Sequence, residues 1–324
     1  MANPICLLAL FLFVAPDPIP AEVPADLGPE RILSFDSKVT VNADGSLSVK
    51  ETIQVVARGS VIRHGIYREF PTHYGVPWFG ETVVPFMVTG ASRDGQPEAF
   101  RVERYENGKR AYLGNADVMV PQGIHTYTID YKTDRQLGFY GDHDELAWNV
   151  TGNGWSFPIE RASAEVTLPP GVPRAKMTVQ GYTGPQGAKG RNYTALVDPG
   201  GLAQIHATAP LGPREGLTIA VGWPKGFVTQ PSLETRLRRL VLDNGMSVVA
   251  FLGFSFVLAY FIIAWLRVGR DPAVGPVVPR MEPPQGLSAA AVRFIDRMGY
   301  DRTCFTALVV NLAVKGYLTI DQSK

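Results

Sequence analysis

Leu33-Ser-Phe-Asp-Ser-Lys-Val-Thr-Val-Asn-Ala-Asp-Gly-Ser-Leu-Ser-Val-Lys-Glu-Thr-Ile-Gln-Val55 reads as two strands and the turn between them. Leu33, Phe35, Val39 and Val41 alternate with polar residues, Asn42-Ala-Asp-Gly45 turns the chain, and Leu47, Val49, Ile53 and Val55 alternate back. Period-two alternation marks a strand with one buried face, and an Asp-Gly pair between two such runs is a strong hairpin signal. Working outward, further strands are expected at 82–89, 99–104, 124–131, 136–148, 162–168, 176–182, 192–197, 203–208 and 217–223. Asp94-Gly95, Asn107-Gly108, Pro169-Pro170-Gly171, Gly184-Pro185 and Pro199-Gly200-Gly201 separate them. About eleven short strands with no convincing helix among them predict a mainly β protein, its large domain a β-sandwich over residues 26–230.

The pattern then changes. Residues 246–266 are 21 in number and carry no charge. At about 1.5 Å per residue they span roughly 30 Å, the thickness of a bilayer's hydrocarbon core. No polar face interrupts them, and Tyr260 and Trp265 lie towards the end, where amphipathic rings favour the headgroup level. The lipid bilayer is thus an expected partner, crossed by a single transmembrane helix. Just before it, residues 231–245 predict a juxtamembrane amphipathic helix, capped by Ser232, with Leu233, Leu237, Leu240 and Val241 on one stripe and Arg236 and Arg239 on the other face. Lying at the headgroups and extending the span are equally good placements for it.

Residues 5–14 form a second apolar run, too short to cross a bilayer but suited to a secretory signal peptide over residues 1–25, cleaved after Ala25. A short buried segment is the other reading. Arg236, Arg238 and Arg239 before the span balance Arg267, Arg270 and Arg280 after it, so flanking charge does not orient the chain. The signal peptide does. It predicts a single-pass protein of the bacterial inner membrane, its N-terminal domain extracytoplasmic and its C-terminus cytoplasmic.

Residues 267–287 read as a Pro-rich linker. Residues 288–298 and 303–315 follow as helices, with Gly316 ending the second and 317–320 beginning a strand. That order is like the start of a winged-helix module over 288–324, which stops at Lys324 before a wing is complete. Arg293, Arg297, Arg302 and Lys315 are fewer cations than a recognition helix uses, and the net charge is only +1, so no nucleic acid is expected. Cys6 and Cys304 flank the exported domain, which has no cysteine and must be held by its core.

Two polar clusters are candidate binding sites. In Arg63-His-Gly-Ile-Tyr-Arg-Glu-Phe-Pro71, a loop-like segment, Arg63, His64, Tyr67, Arg68 and Glu69 could receive an anion, since guanidinium forks grip carboxylate or phosphate. The plainer reading is mutual neutralisation at a turn. In Gly141-Asp-His-Asp-Glu-Leu-Ala-Trp-Asn-Val-Thr-Gly-Asn-Gly-Trp155, Asp142, Asp144 and Glu145 lead Trp148, Asn149 and Trp155. Oxygen ligation of calcium, an acid/base pair and sugar stacking all fit, as does a polar strand edge whose tryptophans fill the core. If Arg68 met Glu145, the clusters would form one structural network. Nucleophile-elbow, zincin and phosphate-loop motifs are missing, and no metal or other cofactor is expected. The leading reading is a non-enzymatic domain that binds an envelope ligand or protein partner, with homo-oligomers possible. The alternative is an envelope hydrolase acting on glycan or peptide through the 142–145 carboxylates.

The hairpin Val41-Asn-Ala-Asp-Gly-Ser-Leu-Ser-Val-Lys-Glu51, both clusters, Gly269-Arg-Asp-Pro272, Pro283-Pro-Gln-Gly-Leu-Ser288 and Thr306-Ala-Leu-Val-Val-Asn-Leu-Ala-Val-Lys-Gly-Tyr-Leu-Thr-Ile320 together carry a likeness. The chain resembles bacterial predicted membrane proteins of domain-of-unknown-function family 2207, the YciQ-like proteins. The resemblance covers nearly the whole chain after the signal. It implies an exported β-rich domain, a membrane anchor and a cytoplasmic region that in family members continues further, and it implies no activity.

Overall fold

The computed structural model of the chain describes residues 27–76, 80–269, 275, 276, 278, 279 and 284–321. The expected signal peptide and much of the expected linker lie outside the described residues. The chain divides into one unit ending at Leu252 and a second beginning at Gly253.

The first unit is mostly β. Its strands begin with β1 (Arg31–Val41), β2 (Leu47–Ala57), β3 (Ile66–Pro71), β4 (His73–Val76), β5 (Gly80–Val83) and β6 (Phe86–Arg93). Next come β7 (Gln96–Pro97), β8 (Phe100–Tyr105), β9 (Gly108–Leu113), β10 (Gly123–Thr133), β11 (Leu137–Phe139) and β12 (His143–Asn149). The last are β13 (Ala162–Thr167), β14 (Thr178–Pro185), β15 (Tyr193–Val197), β16 (Ala203–Ala207) and β17 (Glu215–Pro224). Eight of them form one sheet in the order β15-β16-β13-β1-β2-β10-β6-β7, and four form a second, β11-β12-β17-β14. A third sheet is β3-β9-β8, and β4-β5 stand as a two-stranded ribbon.

The Asp44-Gly45 hairpin forms as its residues dictate, with Val39 opposite Val49 and Val41 opposite Leu47. Two expected strands are each broken in two. The 82–89 segment stops at Val84-Pro85, where proline has no N–H to give the ladder and Val84 N–H turns to Thr72 O at 2.8 Å. The 136–148 segment folds back on itself between β11 and β12. The segment around Arg68 is no loop: Ile66, Arg68 and Phe70 are buried in strict alternation along β3. Phe35, Ile53 and Ile129 of the large sheet, Leu146, Ile219 and Trp223 of the second, and Ile66, Phe70 and Leu113 of the third share one hydrophobic cluster. Fully burying such a side chain contributes about 1.5–3 kcal/mol before entropy is counted.

Glu30 staples the start of β1 to the loop after β2. Its carboxylate accepts from the backbone N–H groups of Arg58 (2.9 Å), Ser60 (3.1 Å) and Val61 (2.8 Å) and from the Ser60 hydroxyl (2.8 Å). Partial burial pushes this carboxyl up, but the hydrogen bonds together outweigh it and hold the group down at about 2, against an ordinary 4.5. A depressed carboxyl stabilises the fold above its unfolded value, and that contribution fades as pH falls from 4.5 towards 2. Glu30→Gln is therefore expected to lower stability by about 1 kcal/mol at pH 7, after allowance for solvent screening, and by much less near pH 2. Thermal unfolding of the two proteins across this range reads the difference directly.

The helix α1 (Leu233–Asp243) is capped by Ser232, whose hydroxyl accepts Thr235 N–H at 3.2 Å. It ends at Asn244, which leaves helical geometry at φ −120°, and α2 (Gly245–Val268) begins on the next residue. The juxtamembrane segment is thus a helix of its own. The 24 residues of α2 are long and apolar enough to cross a membrane.

In the second unit, α3 (Ala289–Arg297) and α4 (Arg302–Val314) are capped by Ser288 and Asp301. Arg293 donates to both oxygens of Asp301, and those bonds hold the Asp301 carboxyl well below the carboxylate range. Tyr317 N–H bonds Leu312 O and Gly316 N–H bonds Ala313 O, the Schellman closure expected of Gly316. The expected strand at 317–320 is not formed. A strand needs a partner for its N–H and C=O groups, and no strand pairs with it among the described residues.

Candidate functional site

A cleft of about 600 Å³ opens where the third sheet meets the turn after β12. It is lined by Tyr67, Glu69, Tyr105 and Arg110 of the third sheet, by Trp148, Asn149 and Asn153 at the turn, and by Thr72, Tyr74, Thr133 and Gln136.

Arg68 is built into the fold beneath it. Its Nε and Nη2 donate to the two Glu51 oxygens at 2.9 and 3.2 Å, Nη2 donates to Val150 O at 2.9 Å, and Nη1 to Glu69 O at 3.0 Å. Four of the five guanidinium N–H donors are thereby engaged. The Tyr131 hydroxyl donates to Glu51 at 2.7 Å, and the Phe70 and Phe35 rings lie 4.9 and 5.5 Å from the guanidinium carbon. Burial alone would lower the Arg68 value, but the Glu51 carboxylate outweighs it and raises it. Burial first, and then Glu51, push the Tyr131 phenol well up. One guanidinium, one carboxylate and one phenol are thus joined inside the core.

The wall above repeats the theme. The Glu69 carboxylate accepts from Arg110 Nε at 3.1 Å and from Nη2, and Arg110 Nη1 donates to the Tyr112 hydroxyl at 3.3 Å. The Arg110 guanidinium lies 3.4 Å from the Tyr105 ring centre and 4.5 Å from that of Tyr67. Its burial would lower its value, while the bonds to Tyr112 and Glu69 raise it. After β12, Asn149 and Asn153 wind a turn on themselves: Asn149 Nδ2 donates to Asn153 Oδ1 at 2.9 Å, and Gly152 N–H to Asn149 Oδ1 at 3.0 Å.

The two sequence clusters therefore meet, but only in part. Tyr67, Arg68, Glu69, Trp148 and Asn149 line the cleft. Arg63 and His64 do not: they precede β3, bonded to Ser60 O at 2.9 Å and Val118 O at 3.1 Å. Trp155 is a core residue, its Nε1 donating to Thr151 O at 2.9 Å and its ring edge-on to Phe35. The acid/base pair drawn at 142–145 needs correcting. Asp142 sits exposed before β12 beside His143, whose hydrogen bond lowers the carboxyl. Strand alternation then turns Asp144 inward to Lys225 at 2.8 Å and Glu145 to the opposite face. None of the three lines the cleft. Arg68 meets Glu51, not Glu145. No cluster of metal-ligating side chains exists among the described residues.

Glu51 and Arg110 escape a motif search because their partners, Arg68 and Glu69, lie 17 and 41 residues away in sequence. Glu51 nevertheless leaves a mark: it holds an inward place in the series Leu47, Val49, Glu51, Ile53. Arg68 does the same between Ile66 and Phe70. Opposite charges at inward places of two strands are the signature of a buried pair.

Residues 31–223 match the family described as predicted membrane protein (DUF2207), N-terminal domain. The chain is 29% identical over 300 residues to the uncharacterized protein YciQ of Escherichia coli strain K12, covering 91% of this chain and 46% of that protein. It thus spans about half the length of the curated relative it matches. Among solved structures, leukotriene A4 hydrolase of Saccharomyces cerevisiae aligns at 14% identity and TM-score 0.37, over 60% of this chain and 29% of that one. The M1 zinc metallopeptidase of Deinococcus radiodurans aligns at 15% and 0.35, over 59% and 42%. Likenesses this distant carry no inference about activity.

Proposed function

The chain belongs to the family of predicted membrane proteins that carry the DUF2207 N-terminal domain, and we propose that it is a single-span protein of the bacterial inner membrane whose exported β-sandwich binds a ligand or protein partner in the cleft. The orientation follows from the expected signal peptide. The observation that carries the binding role is the cleft itself, which gathers residues far apart in sequence around a space large enough for a small ligand.

The chemistry of its walls narrows the ligand. Arg68 and Arg110 are neutralised by Glu51 and Glu69. Beside them the lining carries tyrosine rings, the amides of Asn149, Asn153 and Gln136, and the oppositely charged Glu106 and Arg214. Flat rings and amides suit a neutral glycan or a peptide backbone better than a phosphate or a carboxylate. The hydrolase alternative loses its carboxylate pair, which the strand splays to opposite faces.

The test is thermal unfolding of the full chain in detergent micelles, screened against envelope glycan and peptide fragments. A ligand at a hundred times its Kd adds about 2.7 kcal/mol, a shift of several degrees. Tyr67→Ala and Asn149→Ala are expected to abolish the shift without lowering the basal Tm by more than about 2–4 °C. A screen without shifts, or shifts unchanged by both variants, overturns the reading.

A further inference from the structure

The junction between α1 and α2 is not a free tether. Asn244 is buried, and its side-chain amide docks on the outer edge of β5: Glu81 N–H donates to Asn244 Oδ1 at 2.8 Å, and Asn244 Nδ2 donates to Glu81 O at 2.9 Å. The amide stands where a third strand's peptide group would stand in the β4–β5 ribbon. The same Nδ2 also donates to Leu240 O at 3.0 Å, closing the end of α1. Beside it the Asp243 carboxylate accepts Val83 N–H at 3.3 Å and Arg135 Nη1 at 2.7 Å, and Arg239 reaches Asp134 at 3.2 Å. Gly80 makes the approach possible: with φ at +94°, any Cβ there would overlap Asn244 Oδ1.

The groups that hold this joint are woven into the cleft wall. Tyr74 lines the cleft and pairs with Thr82, next to Glu81. Thr72 lines it and accepts Val84 N–H at 2.8 Å, next to Val83. Thr133 and Gln136 line it and bracket Asp134 and Arg135, whose side chains hold α1. Arg135 Nη1 also donates to Val83 O at 2.8 Å, so one guanidinium ties the ribbon, the cleft segment and the helix together.

We propose that the Asn244 joint couples the base of α2 to the cleft, so that releasing the helix and loosening the wall formed by Thr72, Tyr74 and residues 133–136 are one event. Use of this coupling by a ligand rests on the binding role proposed above; the coupling itself does not. Linkage makes the effect reciprocal: whatever braces Tyr74 and Gln136 holds the joint, and opening the joint weakens whatever braces them by the same factor.

Hydrogen exchange read by mass spectrometry on the full chain in lipid nanodiscs tests this without any ligand. Asn244→Ala opens the joint from the helix side and Gly80→Ala from the strand side. Each is expected to speed exchange about tenfold at 81–84 and also at 72–74 and 133–136, leaving β1 and β2 unchanged. Tyr74→Ala, made in the cleft wall, is expected to speed exchange at 240–246. Changes confined to 80–84 and 240–246 in the joint variants, or no change at 240–246 in Tyr74→Ala, overturn the proposal. Should either joint variant fail to fold, as loss of protection in β1 and β2 would show, the Tyr74 variant decides alone.

Discussion

Arg68→Ala is expected to lower the stability of the β-domain by about 3–5 kcal/mol, the loss typical of breaking a buried ion pair by removing one partner. Glu51 is fully buried, and without Arg68 the hydrogen bond it keeps is that of the Tyr131 hydroxyl. The Val150 carbonyl loses a donor as well. For a domain of this size the loss is a fall in Tm of roughly 6–20 °C, measured by circular dichroism on the full chain. The companion double variant Arg68→Met with Glu51→Leu removes both charges and keeps the volume filled. It is expected to recover a large part of the loss, since replacing a whole buried pair by apolar groups is often neutral. Full recovery is not expected, because the Tyr131 hydroxyl and Val150 carbonyl remain buried and unpartnered, at about 1–3 kcal/mol each. An unchanged Tm in Arg68→Ala would mean that Arg68 is an exposed anion-binding group and not the floor of the cleft.

Gly114→Ala is expected to cost at least about 2 kcal/mol, from backbone strain and overpacking together. Gly65 and Gly114 face each other where β3 and β9 begin to pair, at φ +129° and +132°. A Cβ on Gly114 would overlap the His64 carbonyl oxygen, and one on Gly65 that of Leu113. Both obstacles are backbone, so no side-chain rotamer relieves them, and β3 must move. That strand carries Tyr67 and Glu69 opposite Tyr112 and Arg110, so the variant should lose Tm and any ligand-induced shift together. Gly75→Ala is the control: a Cβ there meets open space, and a Tm within about 2 °C of the parent is expected. Equal effects in the two variants would show that β3 tolerates displacement at its start.

The acidic cluster shows why local reading of a site fails. Asp142, Asp144 and Glu145 are neighbours in sequence, and the turn before β12 together with the two-residue period of the strand sends them to three surroundings. Glu69 and Arg110, 41 residues apart, are joined because β3 and β9 pair in register. Arg68 could have been matched with any of several carboxylates. Its partner is Glu51 because only a carboxylate on an inward face of an adjacent sheet can meet an inward guanidinium, and leaving either alone in the core is prohibitive.

The sequence by itself determined what depends on neighbours within a few residues. The alternation of Leu47, Val49, Ile53 and Val55 around an Asp-Gly turn imposes the first hairpin. The charge-free run within α2 imposes a helix long enough for a bilayer, and Ser232, Ser288 and Gly316 start and stop helices by hydrogen bonds that close locally. Only the tertiary structure decided the Glu51–Arg68 floor, the meeting of Tyr67 with Asn149 across the cleft, and the Asn244 joint on β5. Each of these brings together groups at least 17 residues apart in sequence, and which groups meet is a property of how the sheets pack, not of any one segment.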